Sequence, residues 1–359
     1  MRKFFFKVHL YLSLILFPLA VVFGITGGLM AFEPEISNLA HAHLTYVTQA
    51  GKPLTVAQVT TKIHDYFPND TVTEYYLSTS PGISYQVFTQ NRKIYINQYT
   101  GDTLGTSTGP DGWDKFQNFI HQLHLRLAFR NNGDTGKTIM TWAGVGLFII
   151  LPSGIILWWR QKRISIRRNV KSRLVWFDVH SVTGIISFVF LMLLVITGIT
   201  MGFERSTTPL MYKLTHSSPT PPPDLNIVPP PGATMITTDS AIAIARAALP
   251  GAVPFDINVP GPADAYQLRC RYPEDLTPGG RSMVFINPYS CKVLYAEGSR
   301  TAPAGTRWKI INRAIHTGDE WGIAGKTVMC LASLALVAQV ITGLVMWLKR
   351  VYKRRRNAD

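Results

Sequence analysis

An internal repeat constrains this chain more than any other feature: one long apolar stretch occurs twice, as Lys7–Glu33 and as Asp178–Glu204. A shift of 171 residues places His9 on His180. The same shift also aligns Ile25-Thr26-Gly27 with Ile196-Thr197-Gly198, Met30 with Met201, and Phe32-Glu33 with Phe203-Glu204. At about 1.5 Å of rise per helical residue, the apolar run crosses about 35 Å, enough to span a bilayer. Each copy therefore predicts a transmembrane helix with a histidine near one end and a glutamate at the other.

Four segments of the 359-residue chain are apolar enough to span a membrane, at about 10–32, 139–159, 181–203 and 327–348. Residues 1–7, 160–178 and 349–359 together hold sixteen Lys or Arg but only two acidic residues. Because positive charge collects on the cytoplasmic side of membrane proteins, we expect both termini inside and the two long connections outside. This topology accounts for nearly all of the net charge of +15, so we do not expect a nucleic-acid partner.

The second and fourth apolar segments also match each other, at an offset of 189 residues. Gly136-Lys137-Thr138 falls on Gly325-Lys326-Thr327, Gly154 on Gly343, and Trp158 on Trp347. The chain is thus predicted to be a tandem duplication of helix, external domain and helix, with a pseudo-twofold axis along the membrane normal. The predicted parts are helix 1–32, external domain 33–136, helix 137–160, basic loop 161–178, helix 179–203, external domain 204–325, helix 326–348 and basic tail 349–359.

The two external segments are each predicted to be a small α+β domain. In the first, a helical stretch with Val56, Val59 and Ile63 precedes alternating strands at 84–89 and 93–98. The second repeats this plan, with an alanine-rich helix at 237–249 and strands at 266–271, 282–287 and 291–295. Proline runs at 219–223 and 229–231 predict a stiff, extended linker before it. The expected fold is therefore a membrane four-helix bundle with two external α+β domains.

Histidines recur at both ends of the predicted bundle. His9 and His180 lie at the cytoplasmic ends of equivalent helices, and His316 lies just before the fourth helix. Its counterpart before the second helix is either His121 or His124. Counting from the preceding tryptophan favours His121, whereas the Leu-His step and the shorter following loop favour His124. The sequence leaves this choice open.

The histidine pattern suits two b-type haems with paired axial imidazoles. Such a site needs facing helices, an apolar slot and small residues where the macrocycle approaches the backbone. The glycines available for close approach are Gly24, Gly27, Gly144, Gly146, Gly154, Gly184, Gly198 and Gly343. Zinc fits less well, because no thiol or acid repeats beside the histidines. A c-type haem is excluded by the absence of a Cys-x-x-Cys-His motif, and we find no Rossmann or phosphate-loop motif.

Several motifs resemble those of the PepSY-associated transmembrane family, including its single-subunit ferric-siderophore reductases. They are Leu123-His124, Trp176-Phe177-Asp178-Val179-His180, Ile315-His316-Thr317-Gly318, and the stretches Ser153–Trp158 and Thr342–Trp347. The resemblance covers essentially the whole chain, and both external domains are PepSY-like. It implies a multi-pass protein of the bacterial inner membrane, with the large loops in the periplasm. It further implies two b-haems and reduction of iron(III) held by a siderophore at the periplasmic face.

A cytoplasmic or quinol electron donor is expected as partner, because no cytoplasmic domain is large enough for a flavin or nicotinamide site. The sequence identifies no catalytic residue. A second hypothesis is a non-enzymatic transporter of siderophore or haem, or a regulator of a periplasmic partner. In that case the histidines would be structural or would pass haem along.

Three cysteines are present, and two of them lie in the second external segment. Cys270 and Cys291 are candidates for a disulfide, because oxidising conditions prevail outside the inner membrane. The alternative is that both cysteines are simply small buried residues.

Overall fold

The computed structural model describes residues 1–129, 133–167 and 170–356. The chain forms two compact units, each assembled from separate stretches. The helical unit comprises Met1–Glu33, Phe116–Leu210 and Ile311–Asp359, and the sheet unit comprises Pro34–Lys115 and Met211–Ile310. In chain order the α-helices are α1 (Arg2–Met30), α2 (Glu33–Ala40), α3 (Ala42–Thr45), α4 (Val56–Tyr66), α5 (Gly112–Arg126), α6 (Gly133–Trp158), α7 (Ser172–Gly202), α8 (Glu204–Leu214), α9 (Thr238–Ala248), α10 (Ala304–Thr317) and α11 (Gly322–Arg356).

The helical unit is a bundle of α1, α6, α7 and α11. Each of these helices contributes a segment that is long and apolar enough to cross a membrane, as the sequence predicts. α1 packs against α6 and α11, and α7 packs against the same two helices, so α1 and α7 occupy opposite corners of the bundle. The buried residues at its centre are Ala20, Leu147, Ile150, Leu191, Val195, Ala332 and Leu336.

Two glycines allow short helices to approach the bundle closely. A Cβ atom at Gly136 in α6 would lie 1.9 Å from the main-chain oxygen of Arg126, at the end of α5. A Cβ atom at Gly325 in α11 would lie 2.2 Å from the oxygen of Gly318, just after α10. Both distances are shorter than any van der Waals contact. These equivalent positions in the two repeats therefore require glycine, and they fix where α5 and α10 end.

The sheet unit contains a single eight-stranded antiparallel sheet. Its strands are β1 (Val72–Tyr76), β2 (Tyr85–Thr89), β3 (Lys93–Ile96), β4 (Thr103–Ser107), β5 (Val253–Asn258), β6 (Tyr266–Arg271), β7 (Ser282–Ile286) and β8 (Val293–Glu297). The spatial order is β4-β3-β2-β1-β5-β6-β7-β8. Each repeat therefore supplies four consecutive strands, in mirror-image order about the centre.

The two external segments, predicted as separate domains, are joined through β1 and β5. Tyr75 pairs with Ile257 across this junction. The helices α4 and α9 contact each other, and residues of both repeats form one hydrophobic core. Asp239 of α9 accepts hydrogen bonds from the main-chain nitrogens of Val56 (3.2 Å) and Ala57 (2.9 Å), so it caps the start of α4. The halves are thus joined by strand pairing, a shared core and a helix cap.

The proposed disulfide between Cys270 and Cys291 is wrong, because both residues are free thiols. Cys270 is buried in β6, where it pairs with Ser282 at the start of β7. Cys291 is exposed in the turn after β7, and β7 ends at Ile286, the end opposite Ser282. Four residues of strand span about 13 Å, whereas a disulfide requires Cα atoms within about 7 Å. The length of β7 therefore holds the two cysteines apart.

Candidate functional site

The first histidine pair lies inside the bundle, between its opposite corners. His9 belongs to α1 and His180 to α7, and their ring centroids are 6.2 Å apart with an interplanar angle of 89°. The shared register predicted from the repeat thus brings the two rings face to edge.

Hydroxyl groups on the two neighbouring helices hold these rings. His9 Nδ1 lies 2.9 Å from Ser153 Oγ in α6 and 3.2 Å from the Ile150 main-chain oxygen. His180 Nδ1 lies 2.9 Å from Thr342 Oγ1 in α11. The two repeats therefore support their histidines in the same way, except that His9 has a second acceptor.

The second pair consists of His124, near the end of α5, and His316, near the end of α10. Their ring centroids are 6.5 Å apart, with an interplanar angle of 65°. His124 Nδ1 lies 2.7 Å from Thr26 Oγ1 of α1, and His316 Nδ1 lies 2.8 Å from Thr197 Oγ1 of α7. Since Thr26 follows His9 by 17 residues on α1, the two pairs lie about 25 Å apart along that helix.

The second pair contains His124 and not His121, the alternative that the sequence left open. His121 Nδ1 faces Glu33 Oε2 at 3.7 Å, and 38% of its side chain is exposed. His121 and His124 are three residues apart on α5, so they lie on neighbouring parts of one helix face. The angular position of each residue around α5 determines which ring faces His316. Counting residues along the sequence does not give that position.

The hydrogen bonds determine which nitrogen of each histidine carries the proton. Each of the four hydroxyl groups donates its own proton to a carbonyl of its helix: Thr26 to Val22 (2.5 Å), Ser153 to Ile150 (2.6 Å), Thr197 to Leu193 (2.6 Å) and Thr342 to Ala338 (2.7 Å). Because a hydroxyl has a single proton, its oxygen can only accept from the ring. This arrangement favours the tautomer with the proton on Nδ1 in all four histidines, which leaves the Nε2 lone pair for a metal ion. Metal-ligating histidines have this arrangement.

Outside the membrane-spanning segments, the second pair is held neutral. Burial lowers the pKa of His124 to about 3, helped by the neighbouring His316, and lowers that of His316 to about 4. Both rings are therefore uncharged at neutral pH.

A glycine follows each supporting hydroxyl and lies against the imidazole. Cβ atoms built at these glycines would meet the Cε1 atoms of the rings: Gly27 to His124 at 3.6 Å, Gly154 to His9 at 3.2 Å, Gly198 to His316 at 3.3 Å and Gly343 to His180 at 3.5 Å. Four of the eight glycines proposed for close approach thus contact the candidate ligands. The dipeptide Ser/Thr-Gly is the unit that holds each ring.

The supporting hydroxyls are the functional residues that the sequence reasoning missed. The 171-residue offset aligns Thr26-Gly27 with Thr197-Gly198, and the 189-residue offset aligns Ser153-Gly154 with Thr342-Gly343. Repetition of a hydroxyl residue inside an apolar helix was the signal that could have identified them, because such a residue needs a partner there.

The geometry of both pairs fits two imidazoles on opposite sides of one metal ion. An imidazole nitrogen lies about 1 Å from its ring centre and binds a metal ion at about 2 Å, so two such rings have centres about 6 Å apart. The observed separations are 6.2 and 6.5 Å. Among the described residues, the one group of three potential metal ligands lies elsewhere, so neither pair offers the three or four ligands of a zinc site. Two imidazoles beside glycines suit a b-type haem.

The comparison with known proteins agrees with the fold. The family model described as "PepSY-associated TM region" matches residues 6–350, so the chain belongs to this family of membrane proteins. A search of curated proteins gave no match.

Proposed function

We propose that this member of the PepSY-associated transmembrane family is a di-haem b electron-transfer protein. It would reduce the iron(III) of ferric siderophores at the periplasmic face of the bacterial inner membrane and so release Fe(II) for uptake. The observation that carries the proposal is the pair of facing histidines at each end of the bundle, with Nδ1 of every ring against a helix hydroxyl. A single buried cofactor would need only one such pair.

The chain's own residues would fix the position and the spin state of the bound iron. When bound, a b-type haem supplies a one-electron iron couple. His9 and His180 would hold one haem, and His124 and His316 the other. The Ser/Thr-Gly units orient each ring and leave space beside it, and their hydroxyls accept the Nδ1 proton, which makes Nε2 a better donor.

The topology expected from charge gives the two pairs different partners. With the basic segments in the cytoplasm, the His9–His180 pair lies on the donor side, facing a cytoplasmic reductant or a membrane quinol. The His124–His316 pair then lies on the periplasmic, acceptor side. The bundle between them is packed with Ala20, Leu147, Leu191 and similar side chains. These buried side chains are apolar and cannot relay protons, so charge would cross as electrons.

The chemistry at the acceptor side needs proximity and no covalent step. Siderophores hold Fe(III) through hard oxygen donors, and Fe(II) is held much more weakly by such ligands. One electron from the donor converts the bound Fe(III) to Fe(II), and the intact chelator is released. The PepSY-like sheet unit would receive the ferric siderophore.

The test is an anaerobic reoxidation experiment. The purified protein is reduced, excess reductant is removed, and a ferric siderophore is added while haem absorbance and capture of Fe(II) by a ferrous chelator are followed. We expect one Fe(II) per haem reoxidised. Reoxidation by quinone or oxygen but by no ferric chelate would refute the reductase. A protein without haem absorbance would instead favour the transporter or regulator.

A further inference from the structure

A group of three potential metal ligands lies in the sheet unit and includes none of the four paired histidines. It consists of His41, between α2 and α3, Asp111, directly before α5, and Asp114, in the first turn of α5. Their ligand atoms all lie within 4.8 Å of one another, and no other such group of three occurs in the part of the chain that the structure describes. Seventy residues separate the histidine from the first aspartate in sequence, so the fold brings them together.

The ring of His41 is oriented by residues outside this group. Its Nδ1 lies 3.0 Å from the main-chain oxygen of Ser37, one turn earlier in α2. The hydroxyl of the same serine accepts a hydrogen bond of 3.0 Å from Trp113 Nε1 at the start of α5. Ser37 thus connects the two segments that carry the ligands. Metal-ligating histidines commonly donate their second nitrogen to a carbonyl in this way.

The two carboxylates also cap the start of α5, since Asp114 Oδ2 accepts a hydrogen bond of 3.3 Å from the Asp111 main-chain nitrogen. Asp111 Oδ1 accepts a hydrogen bond of 2.8 Å from the Asp114 nitrogen, and its other oxygen, Oδ2, lies 2.7 Å from His41 Nε2. The side chain of His41 is 15% exposed and that of Asp111 is 49% exposed, so the site is open to solvent. Ligands about 2 Å from one ion lie about 3–4 Å apart. Rotation of the exposed Asp114 side chain would close the remaining gap, at the cost of its long hydrogen bond from the Asp111 nitrogen.

We propose that His41, Asp111 and Asp114 bind one divalent first-row transition-metal ion, Fe²⁺ or Zn²⁺. The ion would take the place of the proton now shared by His41 and Asp111, and two carboxylates would balance its charge. One imidazole with two carboxylates suits these ions better than Mg²⁺ or Ca²⁺, which prefer oxygen ligands alone. The site is independent of the proposed reductase, because it shares no residue with the histidine pairs.

The test is calorimetric titration of the purified full-length protein, after treatment with a chelator, with Zn²⁺ and, anaerobically, with Fe²⁺. We expect one site for each ion and at least tenfold weaker binding in His41→Ala and Asp114→Asn. His43→Ala is the matched control, since His43 is an exposed histidine on the same segment, and it should bind as the wild type does. Haem absorbance, recorded for each variant, checks folding separately. Equal binding by all variants, or no binding by the wild type, would refute the metal site. The three residues would then serve only as an ion pair and a helix cap.

Discussion

Thr342→Val probes the hydrogen bond that fixes His180. The substitution preserves the branched shape of the side chain but removes the hydroxyl that faces His180 Nδ1 at 2.9 Å. Without bound iron, the ring avoids the loss by moving its proton to Nε2. Coordination through Nε2 prevents this, so the Nδ1 proton is left without a partner only in the haem-bound state. The whole penalty therefore appears as weaker haem binding.

The size of the effect follows from the cost of an unpaired buried donor, about 1–3 kcal/mol. At about 1.4 kcal/mol per tenfold change, this is about 5- to 140-fold in affinity. That range overlaps the effect of about 10–100-fold known for partners that orient metal ligands. Ser153→Ala should cost less, under about fivefold, because the Ile150 oxygen at 3.2 Å can still accept from His9 Nδ1.

The assay is transfer of haem from each purified variant to an excess of a competing haem-binding protein, followed by absorbance. The His124–His316 site in the same molecule is the internal reference. Thr342→Ser, which keeps the hydroxyl, should retain haem as the wild type does. Ser187→Ala controls for the loss of a buried hydroxyl, since Ser187 donates to the Thr183 oxygen of its own helix. If Thr342→Val loses haem no faster than Ser187→Ala, the hydrogen bond does not position the ligand.

Three further predictions concern other parts of the molecule. His124→Ala should lose one of two haems, whereas His121→Ala should keep both. Pyridine haemochrome analysis measures the haem per mole of protein in each variant. The reverse result would assign the ligand to His121. Gly154→Val should remove the haem on the donor side, because even a Cβ there would lie 3.2 Å from His9 Cε1; unchanged haem content would contradict this. A thiol reagent should modify Cys291 but not Cys270 in the native protein, because burial raises the pKa of the Cys270 thiol to about 12, and denaturation without reductant should expose both as thiols.

Much of the helical unit could be predicted because its helices and histidines occur in two repeated copies in the sequence. The four spans follow from apolar length, and the alignment of His9 with His180 follows from the 171-residue offset. Four of the eight glycines predicted for close approach lie beside the rings. The choice of His124 over His121 depends instead on the helical phase of α5 at its contact with α1. The roles of Thr26, Ser153, Thr197 and Thr342 depend on which helices become neighbours, and periodicity in one segment does not contain that information.

The sheet unit was harder to predict, for two physical reasons. Pro254 lies within the central strand β5, where a missing N–H group usually marks an edge strand. An irregular register between Pro254 and Asp256 accommodates the proline. The pairing of β1 with β5 joins strands about 180 residues apart in sequence. Each repeat has a sheet edge that could pair with another strand, but the sequence does not show that the two edges pair with each other. This pairing replaces two separate external domains with one sheet.

The central claim is that two histidine pairs each bind a b-type haem, and the most direct measurement is haem stoichiometry with spectroscopy on the purified full-length protein. We expect two haems per chain, low-spin iron in both oxidation states, and loss of one haem in each of His9→Ala and His316→Ala. One haem or none per chain, or a high-spin spectrum that indicates a single axial imidazole, would contradict it.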